Sequence, residues 1–414
     1  MKLFDYYFHN LFEIVKERNG YMYEVKYLTM DKHSQFIIFA FNCGSSNEQE
    51  DNNGVFHLLE HLILSDYNIN KELHNVYLDA ITTKEWTYFL FITKSENEII
   101  KKINYIIDTL FSLKITNESL DNEKKIICDE IKNRGYFSNF KQLFNRLMFN
   151  GTSYALPTTG KSETVINLNI KRVQNIYNKY YDFNQNFRVY CSSEDICTEL
   201  SNKLSKIEKR IEFNNKLGVI KHSIRPISKS INKKGNEFNL SVATIYTHMS
   251  DYDAQLLDLL GNCLFGAKGL FVSKLKKDCG IYNIQYIYDV YKDFSLFGFG
   301  ISTNRSNYDR IILCLKELIN EIHDNSNMLN SIYNDVLFTK SLEVQYYKNN
   351  IFDLIRLVNE MKIDLDITKL PNIEVQINEL YNYIFFKSNW FGLSIGDNIN
   401  VEDFLDKIDI KNKV

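Results

Sequence analysis

Residues Phe56-His57-Leu58-Leu59-Glu60-His61-Leu62-Ile63 set two histidines and a glutamate inside an apolar run with helical spacing. His57 and His61 are four apart, so on a helix they share one face about a turn apart, with Glu60 just off it. Two imidazoles and a carboxylate in the order H-x-x-E-H can act as two metal ligands with a base beside them. A catalytic metal of this type takes a third protein ligand. That ligand has to come from a second element folded against this helix.

The chain has 414 residues, too many for one ordinary compact domain and enough for two. Its net charge of −3 lacks the basic excess of a nucleic-acid binder. The seven cysteines are scattered and form no C-x-x-C, which fits reduced thiols and a cytoplasmic location. No apolar run approaches a membrane span, and the first residues lack the order of a signal peptide. Leu3, Phe4, Tyr7, Phe8, Leu11, Phe12 and Val15 are spaced as the apolar face of a helix. That face is expected to pack on the body of the protein or on a partner; Glu13 and Glu17 argue against a membrane surface.

Strands are expected over 21–31 and 35–43, followed by the motif helix with Asn52 or Asn53 as its cap. A hairpin over 77–83 and 86–92 comes next, then helices over 96–113, 117–133, 138–149 and 164–181 and a strand over 187–191. Residues 206–236 are rich in Lys and Arg with few long apolar runs, and they read as a connection. The expected domains are therefore 1–212 and 237–414, joined by a linker over 213–236. Beyond it a strand over 238–246, helices over 252–265 and 270–278, strands over 281–290 and 294–302, and helices over 306–323 and 326–361 repeat much of the first order. The fold class is α+β, in two topologically similar halves. Only the first half carries H-x-x-E-H.

Asp66 is near the motif but beyond the helix end. In Asn122-Glu123-Lys124-Lys125-Ile126-Ile127-Cys128-Asp129-Glu130-Ile131-Lys132, Glu123 and Glu130 are seven apart and face the same way. One could ligate while the other supports the site. Two glutamates on a solvated helix face fit the spacing equally well.

The chain resembles the M16 metallopeptidases, the group of pitrilysin, insulin-degrading enzyme and the mitochondrial processing peptidase. That family follows H-x-x-E-H with a helix bearing two glutamates seven apart. Residues 42–48 and 53–57 resemble its lead-in to the metal helix. Leu78-Asp79-Ala80-Ile81-Thr82 with Glu85 and Thr87 resembles its N-A-x-T…E-x-T strand, with Asp79 in place of asparagine. Leu156 to Glu163 followed by Tyr180-Tyr181 resembles its P-x-x-G-x-x-E…Y-Y signature. The resemblance implies two halves, each a mainly antiparallel sheet covered by helices. It implies Zn2+ held by His57, His61 and Glu130, with Glu60 as general base and Glu123 as a carboxylate orienting a ligand or a buried structural acid. It also implies that a peptide substrate adds as a strand along Asp79, Ala80 and Ile81, with core packing an alternative for Ile81.

The second half departs from the pattern. M16 proteins complete in one chain bring an Arg and a Tyr to the zinc site from a stretch like L-R-E-x-x-G-L-x-Y. Here the Arg position is Lys276, the Tyr position is Asn283, and Tyr282 lies one residue early. On a strand that offset points Tyr282 to the other face. Either Lys276 and Tyr282 improvise the role, in a single chain or a homodimer, or a second M16-like subunit supplies the pair. The expected function is a zinc endopeptidase acting on peptides or short unfolded segments, with maturation of a ribosomally made precursor as a variant. The alternative is a non-catalytic M16-like assembly subunit.

Overall fold

Gln35–Phe41 has the sequence QFIIFAF, with no polar alternation. Such a run suits a strand covered on both faces, and residues 36–41 are all buried. In the computed structural model this strand, β3, lies within a six-stranded sheet. The structure describes residues 13–14, 23–27, 34–65, 73–181, 187–206, 224–247, 250–325, 327–347 and 372–410. They divide into two units, one built from residues 6–142 and 151–223 and the other from 1–5, 143–150 and 224–414.

The first unit's other strands are β1 (Glu13–Ile14), β2 (Tyr23–Tyr27), β4 (Tyr77–Thr82), β5 (Thr87–Thr93) and β6 (Phe187–Cys191). Their order is β1-β2-β6-β3-β5-β4. Neighbours run antiparallel except β2 and β6, which are parallel. The helices are α1 (Val55–Leu64), α2 (Glu96–Phe111), α3 (Asn117–Lys132), α4 (Tyr136–Met148, whose residues from 143 on are assigned to the second unit), α5 (Ser162–Asn167), α6 (Ile170–Tyr180) and α7 (Glu194–Leu204). Phe39, Phe41, Phe111 and Phe187 form an aromatic cluster in the core. The Tyr-Tyr pair ties the motif helix to that core. Tyr180 packs edge-on to Phe56 at 5.0 Å and Tyr181 lies 4.9 Å from Phe41.

The second unit holds β7 (Lys229–Asn232), β8 (Glu237–Thr247), β9 (Ile284–Val290), β10 (Phe294–Asn304) and β11 (Phe391–Gly396), in the order β7-β11-β8-β10-β9. Only β7 and β11 are parallel. This is the order β2-β6-β3-β5-β4 again, with the one parallel pair in the same place. The expected pair of similar halves is the architecture observed. Its helices are α8 (Asp251–Phe265), α9 (Leu270–Cys279), α10 (Tyr308–Asp324), α11 (Asn327–Tyr347), α12 (Ile373–Phe386) and α13 (Val401–Lys407). Among the described residues, only Tyr252–Cys279 is long and apolar enough by composition to cross a membrane, and more than half of its most apolar window is buried. A turn at 266–269 splits it into α8 and α9, two core helices.

Several local expectations are corrected. The expected linker contains β7, a strand whose one apolar residue, Ile231, leaves no sequence signal; residues 207–223 lie outside the described residues. The helix expected over 164–181 is two, because Asn169 turns outward and its side chain accepts from Arg172 N–H to cap α6. Most of the amphipathic N-terminal stretch lies outside the described residues, and its described part, Glu13–Ile14, pairs with β2.

The loop before α1 meets the loop before α5 at two glycines. Gly54 has φ 97° and Gly160 φ 81°. A Cβ on Gly160 would lie 2.6 Å from the Gly54 Cα, and one on Gly54 would lie 2.8 Å from the Gly160 Cα. Asn53 Nδ2 donates to Pro157 O at 2.8 Å beside them. Gly160→Ala should therefore destabilise the protein by about 2 kcal/mol or more through backbone strain and overlap. Urea unfolding measures this, and an unchanged midpoint would contradict the packing described.

Candidate metal centre

The expected Asn52 or Asn53 cap on α1 is absent. Gly54 precedes the helix and offers no side chain. Glu48 takes the role from upstream. Its Oε2 accepts from Gly54 N–H at 2.9 Å and Asn53 Nδ2 at 2.7 Å, and its Oε1 accepts from Phe56 N–H at 3.0 Å. A carboxylate there satisfies orphan donors and sits at the positive end of the helix dipole. Burial pushes the Glu48 pKa up to about 7, while the hydrogen bonds and the charge of Lys84 oppose the rise.

Seven of the ten α1 residues are buried, Glu60 among them; His57 and His61 are half-buried on one face. Their rings lie 4.6 Å apart. α3 packs against α1 and starts from a Thr116 cap that accepts from Ser119 N–H. It turns a buried Glu123 and a half-exposed Glu130 toward the two rings. Glu130 Oε2 is 3.8 Å from His57 Nε2, and Glu130 Oε1 is 3.6 Å from His61 Nε2. One ligand atom from each of His57, His61 and Glu130 lies within 4.8 Å of the others. Tetrahedral ligands about 2.1 Å from zinc stand about 3.4 Å apart, so the Glu130–imidazole spacings of 3.6 and 3.8 Å are near those such an ion would need.

The two histidines are held differently. His61 Nδ1 is 3.1 Å from Glu123 Oε2. With Nδ1–H donating to that carboxylate, Nε2 presents its lone pair toward Glu130. His57 Nδ1 is buried without a hydrogen-bond partner among the described residues, so packing alone orients that ring. Burial, together with the charges of His61 and Arg134, lowers the His57 pKa to about 3. The ring is therefore neutral near pH 7, the form that binds metals.

Glu60 points to β4. Its Oε2 accepts from the Thr82 hydroxyl. Burial pushes its pKa up to about 7, against the hydrogen bond from Thr82. β4 pairs with β5 on one side, and its other edge has no strand among the described residues. Leu78 and Ala80 pack on the core while Thr82 is buried, so by alternation Tyr77, Asp79 and Ile81 take the other face. Asp79 Oδ1 accepts from Ala80 N–H at 2.9 Å.

Lys276 and Tyr282 belong to the second unit. Gly280, at φ 67°, closes α9, and β9 begins only at Ile284. Strand alternation therefore does not fix the direction of Tyr282, contrary to the sequence argument. Tyr282 is 73% exposed, and the Lys276 ammonium sits 5.1 Å from its ring centroid. The roles of Glu48, Thr82 and Gly160 were not legible in their patterns. Thr82 and Gly160 act through partners distant in sequence, and Glu48 through the turn that leads into α1.

Residues 28–136 match the family model for insulinase, peptidase family M16, and residues 167–328 match that for the peptidase M16 inactive domain. The chain belongs to the M16 peptidase family. A relative, the zinc protease PQQL-like protein of Arabidopsis thaliana, is 26% identical over 180 residues. That alignment spans 39% of this M16 chain and only 19% of the relative. A putative M16-like peptidase from Alicyclobacillus acidocaldarius superposes with a TM-score of 0.71 at 14% identity, over 93% of this chain and 98% of that one. A protease from Helicobacter pylori gives 0.68 at 17%, over 93% and 99%. A chain of complex III2 from Candida albicans, with Inz-5 bound, gives 0.71 at 13%, over 96% and 99%. At these identities the likeness is one of fold.

Glu48 generates a pH prediction. Its folded pKa is raised, so below about pH 4 the folded and unfolded chains both hold the proton and there is no penalty. As pH rises toward 7 the unfolded chain releases the proton first, and stability falls. From pH 5 to 8 the wild type should lose up to about 3 kcal/mol relative to Glu48→Gln. Paired denaturation curves check this; parallel pH profiles would contradict it.

Proposed function

We propose that the chain is a zinc-dependent endopeptidase acting on peptides or short unfolded segments. The observation that carries this reading is the convergence of His57, His61 and Glu130 from two helices, with Glu60 alongside. Zinc held by those three residues supplies a Lewis acid that polarises a peptide carbonyl and acidifies water. Glu123 keeps His61 in the ligating tautomer. Glu60, steadied by Thr82, accepts a proton from the attacking water and returns it to the leaving amine. A pKa near 7 suits a group that must do both.

The free edge of β4 offers the substrate a backbone partner, and Thr82 links that edge to Glu60. Pairing through backbone tolerates varied sequences. Asp79 must release the Ala80 N–H as a peptide docks there. Lys276 keeps the charge of the expected arginine but lacks its planar fork, and Tyr282 is displaced by one residue. We therefore take the chain to be the metal-bearing subunit of a pair, its partner a second M16-like chain carrying the Arg and Tyr. Processing of a ribosomally made peptide precursor is the substrate class that suits such a pair. The zinc-protease name of the Arabidopsis relative supports the metal and the chemistry. The likeness in fold to a chain of complex III2 favours the second reading, a non-catalytic assembly subunit; the complete donor set weighs against it.

Cleavage of an unstructured reporter peptide tests the reading. The zinc-loaded chain alone should turn over slowly and accelerate with an M16-like chain bearing the Arg/Tyr pair. Glu60→Gln should reduce that rate by about 10²–10⁴-fold with zinc content unchanged. Robust turnover alone would remove the need for a partner. No turnover in any combination would favour the assembly role.

A further inference from the structure

Arg134 stands four residues beyond Glu130, just past the end of α3. It is half-buried. Burial lowers its pKa and the Glu130 carboxylate opposes the change, while its own charge depresses His57. The guanidinium is thus within electrostatic reach of two of the three clustered donors. Among the described residues it makes one hydrogen bond, Nη1 to Gln142 Oε1 at 3.3 Å, and has no carboxylate within ion-pair distance. A guanidinium carries five N–H donors, so most of this fork has no acceptor.

A groove of about 330 Å³ opens beside it, with Ile131, Arg134 and Gln142 on one wall and residues 160–163 on the other. Gly160 abuts Gly54 at the start of α1, so the second wall is fixed relative to His57. Lys161 adds an exposed cation, also without an ion pair among the described residues. Glu163 is the one acid in the lining, against two cations. Ile131 gives a partly apolar wall. When Glu130 is committed to a metal, Arg134 loses its nearest countercharge. A partly desolvated guanidinium beside a groove of this size is matched by a carboxylate, which can take the planar fork in a bidentate pair. The volume lies at the lower end for ligand pockets and suits one residue more than a long segment.

We propose that this groove is a substrate subsite for a carboxylate, with Arg134 as the binding fork and Lys161 as a second charge, so that the site selects peptides bearing an acidic group close to the scissile bond. The inference rests on the metallopeptidase reading. The carboxylate has two possible sources, an Asp or Glu side chain and the free C-terminus of a short peptide.

Metal-anchored probes separate these cases. Matched peptide hydroxamates carry glutamate or glutamine with an amidated C-terminus, and a third carries neutral side chains with a free C-terminal carboxylate. Their affinities are measured by calorimetry on the zinc-loaded full chain. The glutamate probe should bind about tenfold tighter than its glutamine isostere, the range of a charge-assisted hydrogen bond. Arg134→Gln should abolish that advantage and leave the glutamine probe unchanged, which also reports that the variant is folded. Arg134→Lys should keep part of it. An advantage confined to the third probe assigns the groove to a peptide C-terminus. Equal affinities for all three, or a preference that survives Arg134→Gln, overturn the subsite alone. Failure of every hydroxamate to bind overturns the metal-centre reading and the subsite with it.

Discussion

α1 is an apolar helix that carries three ionisable side chains into a mostly buried position, and the first unit is arranged around satisfying them. A buried polar group without a partner costs on the order of 1–3 kcal/mol, more if charged. Three of the elements around α1 bring such partners, to Glu60, to His61 and to the start of the helix, while His57 Nδ1 has none among the described residues. β4 brings the Thr82 hydroxyl to Glu60, and α3 brings Glu123 to His61. The loop before the helix brings Glu48 to its open N–H groups. What remains is a concentration of lone pairs at His57 Nε2, His61 Nε2 and Glu130, which a cation completes. The elements that satisfy the helix are thus the same ones that would hold a metal and a peptide beside it.

The internal repeat sharpens this. α8 follows β8 and packs on β9 as α1 follows β3 and packs on β4. In place of histidines α8 presents Asp258, whose Oδ1 accepts from Asn262 Nδ2 and from the Tyr286 hydroxyl on β9. Tyr288 donates to the Ala254 carbonyl nearby. Asp258 and Asn262 on that helix are held by hydrogen bonds within the unit. One architecture therefore carries polar helix residues twice, and among the described residues only the first unit gathers them into a metal-ligating cluster.

The elements that carry strong apolar periodicity were legible in the sequence. β3, β5, α1, α2 and α3 all stand where the pattern put them, β3 as a continuous apolar run and α2 through apolar residues at helical spacing. β7, with one apolar residue, left no pattern to read, whereas α7 and α12 went unassigned although Ile196, Leu200 and Leu204, and Ile373, Ile377, Leu380 and Ile384, recur at helical spacing; β11 was also unassigned. The break between α5 and α6 depends on a local Asn169 cap that competes with helix propensity. At the site, the H-x-x-E-H spacing announced α1. Choosing Glu130 over other acids needed the family resemblance, since a seven-residue spacing alone fits a solvated helix face. Thr82 matters through a contact 22 residues back to Glu60, and Glu48 and Arg134 through shorter-range contacts whose partners no periodic pattern singles out.

The central claim is that α1 and α3 hold zinc through two imidazoles and one carboxylate. X-ray absorption at the zinc edge on the purified chain measures this directly. The account predicts one tightly held zinc with two nitrogen ligands at about 2.0–2.1 Å and oxygen in the rest of the shell, and loss of the metal in both His57→Ala and Glu130→Gln. A sulfur shell at about 2.3 Å, or zinc retained in both variants, would contradict it.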